Sequence, residues 1–526
     1  AKDQTNLNYY STDFYNEAYL SFWTTLSPDA PHEHSEFIHF FLEKSLISNV
    51  NFKFLEAAAQ AEGLVPPSLL DAEQQLIATL SDSKSKLLTM HRTKSDSLPI
   101  VKKQLLDIQE QIEDFKRDLS EDFPTYHNAK YNITPISLAE TQQHLQTSNP
   151  STAIISYFMD FGKLNASLIT QDTAFFISKK LDFEIEQTLN EFRSAIVSVD
   201  DSDYLEASHK LYDFLLTDLL APLSDNIDNL VIIPSSSLQL LPFEVLQKEK
   251  NAPYLCEQFG ISYHYSASLF VQQSLAFRQK QSKGFVGFAP SFGAKTNRTD
   301  AVNTAKSTPL ALLPGAKQEV TDLATLTSGE AILDEAASEN TFKLMSKEAQ
   351  IIHIATHAMI NESDPETSYL QFTTSDEEDN RLHFFEIYDL KLEAELVTLS
   401  ACNSGFGKIK KGEGVLSLSR AFAYTGVPST VVSLWPASDK STPALMRSFY
   451  QNLKEGYPKH IALNMARQSY LKSAKGKARH PFYWGGFVLM GDISPLSEKI
   501  SFRLRLFNLS LLFSSTIFRN SVLPLT

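Results

Sequence analysis

Two short apolar runs that end abruptly in polar residues constrain the fold of this chain more than any other feature. Leu396–Leu399 is followed by Ser-Ala-Cys-Asn-Ser-Gly, which brings Cys402 to the end of a predicted strand. About forty-five residues earlier, Ile351–Ile354 brings His357 to the end of a similar strand. Buried strands of this kind, separated by helical stretches, predict a parallel sheet covered by helices on both faces.

A parallel sheet would bring these two distant segments together. The carboxyl ends of its strands share one edge, and ligand crevices form there. We therefore expect the Cys402 thiol and the His357 imidazole to meet at that edge. Such a pair is the minimum for thiolate catalysis, because the imidazole can remove the thiol proton and later protonate the leaving group. A buried structural cysteine is the alternative, but the polar residues after Cys402 argue against burial.

Five motifs follow one another along the second half of the sequence. They are His353-Ile-Ala-Thr-His-Ala358, Leu399-Ser-Ala-Cys-Asn-Ser-Gly405, Arg420-Ala-Phe422, Ser433-Leu-Trp435 and Phe482-Tyr-Trp-Gly-Gly-Phe487. Together they resemble the successive signatures of the CHAT domain, a caspase-like peptidase family often found behind tetratricopeptide repeats. The resemblance extends from roughly Tyr126 to Asp492. It implies a cysteine endopeptidase with a His357/Cys402 dyad, related to caspases and separase.

The resemblance also implies the domain organisation. We expect a caspase-like three-layer α/β/α sandwich in two tandem halves, preceded by a helical, tetratricopeptide-like region. The expected boundaries are residues 1–125 for the helical region, which would be the end of a tetratricopeptide array, 126–282 for a non-catalytic half, 283–495 for the catalytic half and 496–526 for a C-terminal tail. The apolar stretch of that tail is too short to span a bilayer, so an added edge element or interfacial membrane contact remains open.

Two further residues are assigned to the site by resemblance. The backbone N–H groups of Ala358 and Cys402 would form the oxyanion hole, although the family usually has Gly where Ala358 stands. Alanine can serve there only if the turn does not need a positive φ. Asp439 would line the pocket for the residue before the scissile bond and select Lys or Arg by charge pairing. An N-cap near the helix that begins at Thr442 is the alternative role for Asp439.

Other site types do not fit the sequence. His353 and His357 are four residues apart on a strand, about 13 Å, too far to bind one metal ion, so His353 is interpreted as a core histidine. The glycine- and lysine-rich residues 405–414 lack the G-K-[ST] of a phosphate-binding loop. Lys408 stands where a cysteine phosphatase would need Arg. Neither a metal nor an organic cofactor is implied.

Composition limits the partners and the compartment. A formal net charge of −15 argues against direct nucleic acid binding and points to protein partners. Two distant cysteines, Cys256 and Cys402, cannot form a disulfide framework and favour a reducing, cytoplasmic location. The chain begins at Ala1 rather than Met, which is compatible with a processed or truncated product.

The expected function is cleavage of a partner protein by an enzyme that is latent until an activating protein partner engages it. The resemblance suggests regulated proteolysis in bacterial defence or cell death. Residues 406–413 would be ordered or cut on activation, or would be a solvated connector. An inactive scaffold for protein recognition and another thiol hydrolase, such as an amidase, are the alternatives.

Overall fold

A computed structural model gives the structure of most of the second half of the chain and parts of the first. It describes residues 66, 69, 72, 76, 98–123, 136–160, 162–181, 183–275, 284–292, 313–359, 368–373, 380–388, 390, 392–400, 414–438 and 440–497. Cys402, Asp439, residues 406–413 and nearly all of the predicted tail lie outside these described residues.

The first group of elements begins with two helices and an antiparallel meander of three strands. In chain order the elements are α1 (Leu98–Asp122), α2 (Leu138–Ser148), β1 (Thr152–Asp160), β2 (Lys163–Ile169), β3 (Ala174–Lys180), α3 (Phe183–Ser198), α4 (Asp201–Leu215), α5 (Thr217–Leu220), β4 (Asn229–Ile233), α6 (Leu255–Gln258), β5 (Gly260–Tyr263) and α7 (Ala267–Leu275). Short 3₁₀ helices at Ser236–Leu240 and Phe243–Val245 connect β4 to α6.

The second group alternates strands and helices, as the sequence predicts. Its elements are β6 (Phe285–Pro290), α8 (Pro314–Thr327), β7 (Glu330–Asp334), α9 (Glu339–Met345), β8 (Ile351–Ile354), β9 (Ala358–Met359), β10 (Tyr369–Gln371), β11 (Arg381–His383), α10 (Phe384–Tyr388), β12 (Leu396–Leu399), α11 (Gly414–Tyr424), β13 (Ser429–Ser433), α12 (Thr442–Lys454), α13 (Lys459–Ser473) and β14 (Phe487–Gly491).

All but three of these strands form one continuous sheet. Its order is β3-β2-β1-β4-β5-β14-β13-β12-β8-β6-β7, while β9, β10 and β11 form a small antiparallel sheet of their own. The last strand, β14, lies between the two groups, parallel to β5 and antiparallel to β13. From β13 to β7 every neighbouring pair is parallel, which confirms the predicted parallel sheet around the motifs.

Helices cover both faces of the large sheet, which confirms the three-layer α/β/α fold. Alternate residues of the strands point to opposite faces, and each face has its own core. On β12, Val397 packs in the core beneath α3, α4 and α11, and Leu396 packs in the core beneath α2, α7, α8, α12 and α13. The candidate catalytic edge is therefore supported by helices from both sides.

Several features differ from the sequence predictions. The sequence predicts one long helix near residues 204–220, but the structure has two helices there, α4 and the short α5, and a further helix, α3, that was not predicted. The strand β5 and the small sheet of β9, β10 and β11 were also not predicted. Each of these strands has only two to four residues, and none contains three apolar residues as β8 and β12 do.

Candidate active site

The strands β8 and β12 are parallel neighbours, and their register relates the two predicted catalytic residues. His353 lies opposite Thr398, and Ile354 lies opposite Leu399. The pairing continues at the strand ends, where the Ser400 N–H donates to the Ile354 carbonyl at 2.9 Å. The two strands therefore end at the same edge of the sheet, which agrees with the shared edge expected from the sequence. Cys402 follows Ser400 by two residues and lies outside the described part.

The strand β13 ends at this edge as well. It pairs in parallel with β12, so the segment from Trp435 to Ser438 leaves the sheet beside the end of β12. Asp439 comes next and is not described. Ser441 precedes α12, and its side chain makes no capping hydrogen bond. The cap and substrate-pocket interpretations of Asp439 both stay predictions.

His357 is held by backbone and ring contacts just beyond β8. Its carbonyl accepts a hydrogen bond from the Gln371 N–H at 2.9 Å, which joins it to β10. Its ring lies 4.8 Å from the ring of Phe292, at 51° to it. The residue is 2% exposed. Packing on one side and the β10 contact on the other fix the direction in which the imidazole leaves the strand.

Ala358 forms the first residue of β9, opposite Leu370 of β10. The bond between His357 and Gln371 marks the neighbouring pair as the hydrogen-bonded one, so Ala358 occupies a non-hydrogen-bonded position and its N–H points away from β10. Ala358 is not among the described residues with positive φ. The backbone here does not require glycine, and alanine can present its N–H without strain.

His353 is a core histidine, as the sequence predicts. It is fully buried, with Nδ1 3.0 Å from the Tyr450 hydroxyl and Nε2 3.0 Å from a Glu319 carboxylate oxygen. Both ring nitrogens therefore face protein groups, Nδ1 in a hydrogen bond and Nε2 in an ion-pair contact that is not a hydrogen bond. Within the described residues, no group of three or more His, Cys, Asp or Glu side chains is arranged to hold a metal ion.

A small crevice, with room for little more than a water molecule, opens beside the strand ends. Ala355 and Ser400 line it from β8 and β12, and Ala437 and Ser438 line it from the exit of β13. The first turns of α8 and α12 close the other side, where Glu319 contributes a side chain that is 5% exposed. The crevice adjoins the segments that lead to Cys402 and Asp439.

Several residues near the site were not identified from the sequence. Phe292 follows the exit of β6, and the strand-exit argument used for His357 could have identified it. Glu319, Tyr450 and Thr398 lie inside ordinary helices and strands, and no local pattern distinguishes them. Only the packing of α8 and α12 on the sheet brings these three side chains to His353.

Comparison with known families agrees with the motifs. The sequence matches the family described as "CHAT domain" over residues 205–492, more than half of the chain. The chain belongs to the CHAT domain family. The matched region ends at Asp492, where the resemblance to the family was expected to end, and it begins within α4. It includes β8, β12 and β13 and therefore the whole candidate edge.

Two curated relatives match about half of this chain. The sequence is 23% identical to human tetratricopeptide repeat protein 28 over 312 residues, which is 52% of this chain and 12% of that protein. The mouse protein of the same name is 22% identical over the same length, with the same coverage. The chain thus spans about an eighth of the length of the curated relatives that it matches.

Solved structures with a related chain path include separase. Two crystal structures of the Saccharomyces cerevisiae separase–securin complex align with a TM-score of 0.39 and 12% identity. The alignments cover 86% of this chain and 40% or 41% of the separase chain.

Among the described helices, none is long and apolar enough to cross a membrane.

Proposed function

We propose that this CHAT domain is a cysteine endopeptidase in which Cys402 is the nucleophile and His357 is the general base and acid. The observation that carries the proposal is the register of β8 and β12. His353 and Thr398 are paired, and each predicted catalytic residue follows its member of the pair by four residues. Two parallel strands that continue in step would deliver the thiol and the imidazole side by side.

The reaction follows from these groups. His357 removes the Cys402 thiol proton, and the thiolate attacks the carbonyl carbon of the scissile peptide. The N–H groups of Ala358 and Cys402 donate to the oxyanion that forms. His357 then protonates the leaving amine, and a thioester to Cys402 remains. Water, deprotonated by His357, attacks the thioester and releases the carboxylate and the thiol.

The proposed substrate is a partner protein that is cut after Lys or Arg. Asp439 follows Ser438, which lines the crevice beside the strand ends. A carboxylate at that mouth would pair with a basic side chain on the residue before the scissile bond. By family resemblance, we further propose that the enzyme is latent until a protein partner activates it, in regulated proteolysis of the bacterial defence or cell-death type.

A mixed peptide library tests the activity, with products identified by mass spectrometry. Even at the low basal rate expected of a latent enzyme, the purified protein should cut peptides, and Cys402→Ala and His357→Asn should each abolish the cuts. The substitution Asp439→Asn should remove a preference for Lys or Arg before the cut and leave residual cleavage elsewhere. Cuts that persist in Cys402→Ala would disprove the proposed nucleophile, and equal cleavage after all residues in the unmodified protein would disprove the role of Asp439.

A protein-recognition scaffold is the second candidate. It is favoured by the curated relatives, whose name refers to tetratricopeptide repeats rather than to an enzyme, and by the burial of His357 beneath Phe292. A scaffold would bind the same partner with or without Cys402 and would leave it intact. Cleavage of a captured partner by the unmodified protein, absent with Cys402→Ala, distinguishes the peptidase from the scaffold.

A further inference from the structure

A buried hydroxyl joins the two strands that lead to the predicted catalytic residues. Tyr450, on α12, lies with its hydroxyl 3.0 Å from His353 Nδ1 on β8 and donates to Thr398 Oγ1 on β12 at 2.9 Å. All three side chains are almost completely buried. One side chain of the covering helix therefore holds both strands.

The position of this contact along the strands is specific. His353 and Thr398 face each other in the register, and side chains on one face recur every second residue. The next pair on that face is Ala355 and Ser400, which line the crevice. His357 and Cys402 follow Ala355 and Ser400 by two residues in the sequence. The Tyr450 contact thus lies directly beneath the last pair of positions before the predicted dyad.

The hydrogen-bond donors in this cluster can be counted. Burial raises the pKa of Tyr450, so its hydroxyl keeps its proton and donates it to Thr398. The Tyr450 oxygen must then accept from His353 Nδ1–H. The other ring nitrogen lies 3.0 Å from the Glu319 carboxylate, an ion-pair contact that is not aligned as a hydrogen bond. Contacts with Tyr450 of α12 and Glu319 of α8 hold the ring between both helices.

A glycine allows α8 to supply that carboxylate. Gly287 of β6 is the register neighbour of His353 on its other side. A Cβ atom at Gly287 would lie 2.7 Å from Val320 Cγ1, closer than real contacts permit. The absence of a side chain lets α8 approach the sheet, and Glu319, next to Val320, meets His353.

We propose that Tyr450 is a positioning residue that sets the separation of the β8 and β12 ends, with His353 and Thr398 as its strand contacts, and so aligns His357 with Cys402. The inference rests on the proposed peptidase function. A cluster that served stability alone would change only the unfolding free energy when altered. A positioning cluster would also change how strongly His357 activates the thiol.

The reactivity of Cys402 measures that activation without any peptide substrate. Iodoacetamide modifies the thiolate, so the pH dependence of the alkylation rate, followed by intact mass, reports thiol ionisation. Cys256, the other cysteine, is buried, and burial raises its pKa, so it should not react with iodoacetamide in the native protein. In the unmodified protein we expect a midpoint well below about 8.5, the value of a free thiol, and His357→Asn should raise it to about that value.

The substitution Tyr450→Phe removes the hydroxyl and keeps the ring. We expect it to move the alkylation midpoint upward toward that of His357→Asn, and to lower kcat for peptide cleavage by about 10- to 100-fold with little change in KM. Thr398→Val removes the same hydrogen bond from the strand side and should act in the same direction. It also serves as the test if Tyr450→Phe does not fold.

Tyr157→Phe is the matched control. Tyr157 is a fully buried tyrosine of β1 whose hydroxyl donates to the Leu215 carbonyl at 3.0 Å, so the substitution removes a buried hydrogen bond far from the candidate edge. It should lower stability and leave the midpoint unchanged. The positioning role alone would be overturned if Tyr450→Phe and Thr398→Val have the same alkylation midpoint as this control while His357→Asn has a higher one. An unshifted midpoint in His357→Asn would overturn the dyad, and the positioning role with it.

Discussion

At the scale of single residues, Ala358 shows how a departure from a family pattern can be harmless. The family usually has glycine at this position, which suggests a turn with positive φ. In this chain the residue belongs to a strand, is fully buried and does not have positive φ. The N–H that the oxyanion hole would use depends on the backbone direction set by β10, and the side chain does not alter that direction.

Ala358→Gly should therefore bring no gain in activity. We expect an unchanged rate of peptide cleavage and a loss of roughly 1 kcal/mol in the free energy of unfolding, because glycine within a strand has more conformational freedom to lose. Denaturant unfolding and a single-peptide cleavage assay measure the two quantities. A large increase in cleavage rate would contradict the conclusion that this backbone does not need glycine.

At the scale of elements, the close packing of α8 on the sheet forms part of the crevice wall beside the candidate edge. Gly287 permits a close approach, and the first turn of α8 then lines the crevice together with that of α12. Both helices have proline in their first turn, where the fixed φ suits a helix start and no hydrogen bond is lost. The helix starts, rather than the loops, define this wall of the crevice.

Gly287→Ala should displace α8. We expect a loss of about 1–3 kcal/mol in the free energy of unfolding, because the new methyl group would overlap Val320. Val320→Ala removes the overlapping methyl groups, so the double variant should be more stable than the sum of the two single losses predicts. Denaturant unfolding of the four proteins gives this coupling, and strictly additive losses would show that α8 does not limit the space at Gly287.

At the scale of the whole molecule, the large sheet contains two sets of parallel strands that run in opposite directions. One set is β1, β4, β5 and β14, and the other is β13, β12, β8, β6 and β7. The strands β1, β4, β5 and β14 are parallel to one another, and β14 is antiparallel to β13. The carboxyl ends of β1, β4 and β5 therefore lie at the edge opposite to that of β8 and β12. Side chains also join the groups, since Arg467 of α13 pairs with Glu244 at 3.0 Å and both are fully buried.

Two buried histidines near this junction should make folding sensitive to acid. Burial lowers the pKa of His264, which follows β5, to about 4, and that of His460, on α13, to about 4. The unfolded chain binds these protons near pH 6.5, so the stabilisation is present above pH 6.5 and is lost as the pH falls toward 4. At pH 5 each histidine should reduce the unfolding free energy by about 2 kcal/mol relative to pH 7.

Unfolding by denaturant at several pH values between 7 and 5 tests this. His264→Gln and His460→Gln should each lower the dependence of the unfolding free energy on pH over that window, whatever their effect at pH 7. Other titratable groups, mainly carboxylates, contribute equally to the pH dependence of the unfolding free energy in all three proteins. Their contribution therefore cancels when each variant is compared with the unmodified protein. If neither substitution reduces the slope, these two histidines are not the neutral buried groups described above.

Most helices and strands of the second group could be predicted from the sequence. Their apolar periods are long and their ends carry proline, glycine or polar residues, as at the Thr442 helix and the strand before Cys402. The prediction missed α3, β5 and the small sheet, and it merged α4 and α5 into one helix because apolar residues continue across the break at Leu216. A strand of two to four residues is recognised from the sequence only when most of its residues are apolar, as in β8 and β12.

The CHAT family, the parallel sheet and the two strands that lead to His357 and Cys402 could be inferred from the amino-acid sequence, because they depend on local apolar runs and on motifs in a fixed order. The packed structure was needed to show that His353 and Thr398 are register partners, that Tyr450 bonds both, and that Glu319 reaches His353. These contacts join residues more than thirty positions apart in the sequence. They depend on how closely two helices pack on the sheet, a distance set by the fit of many side chains at once.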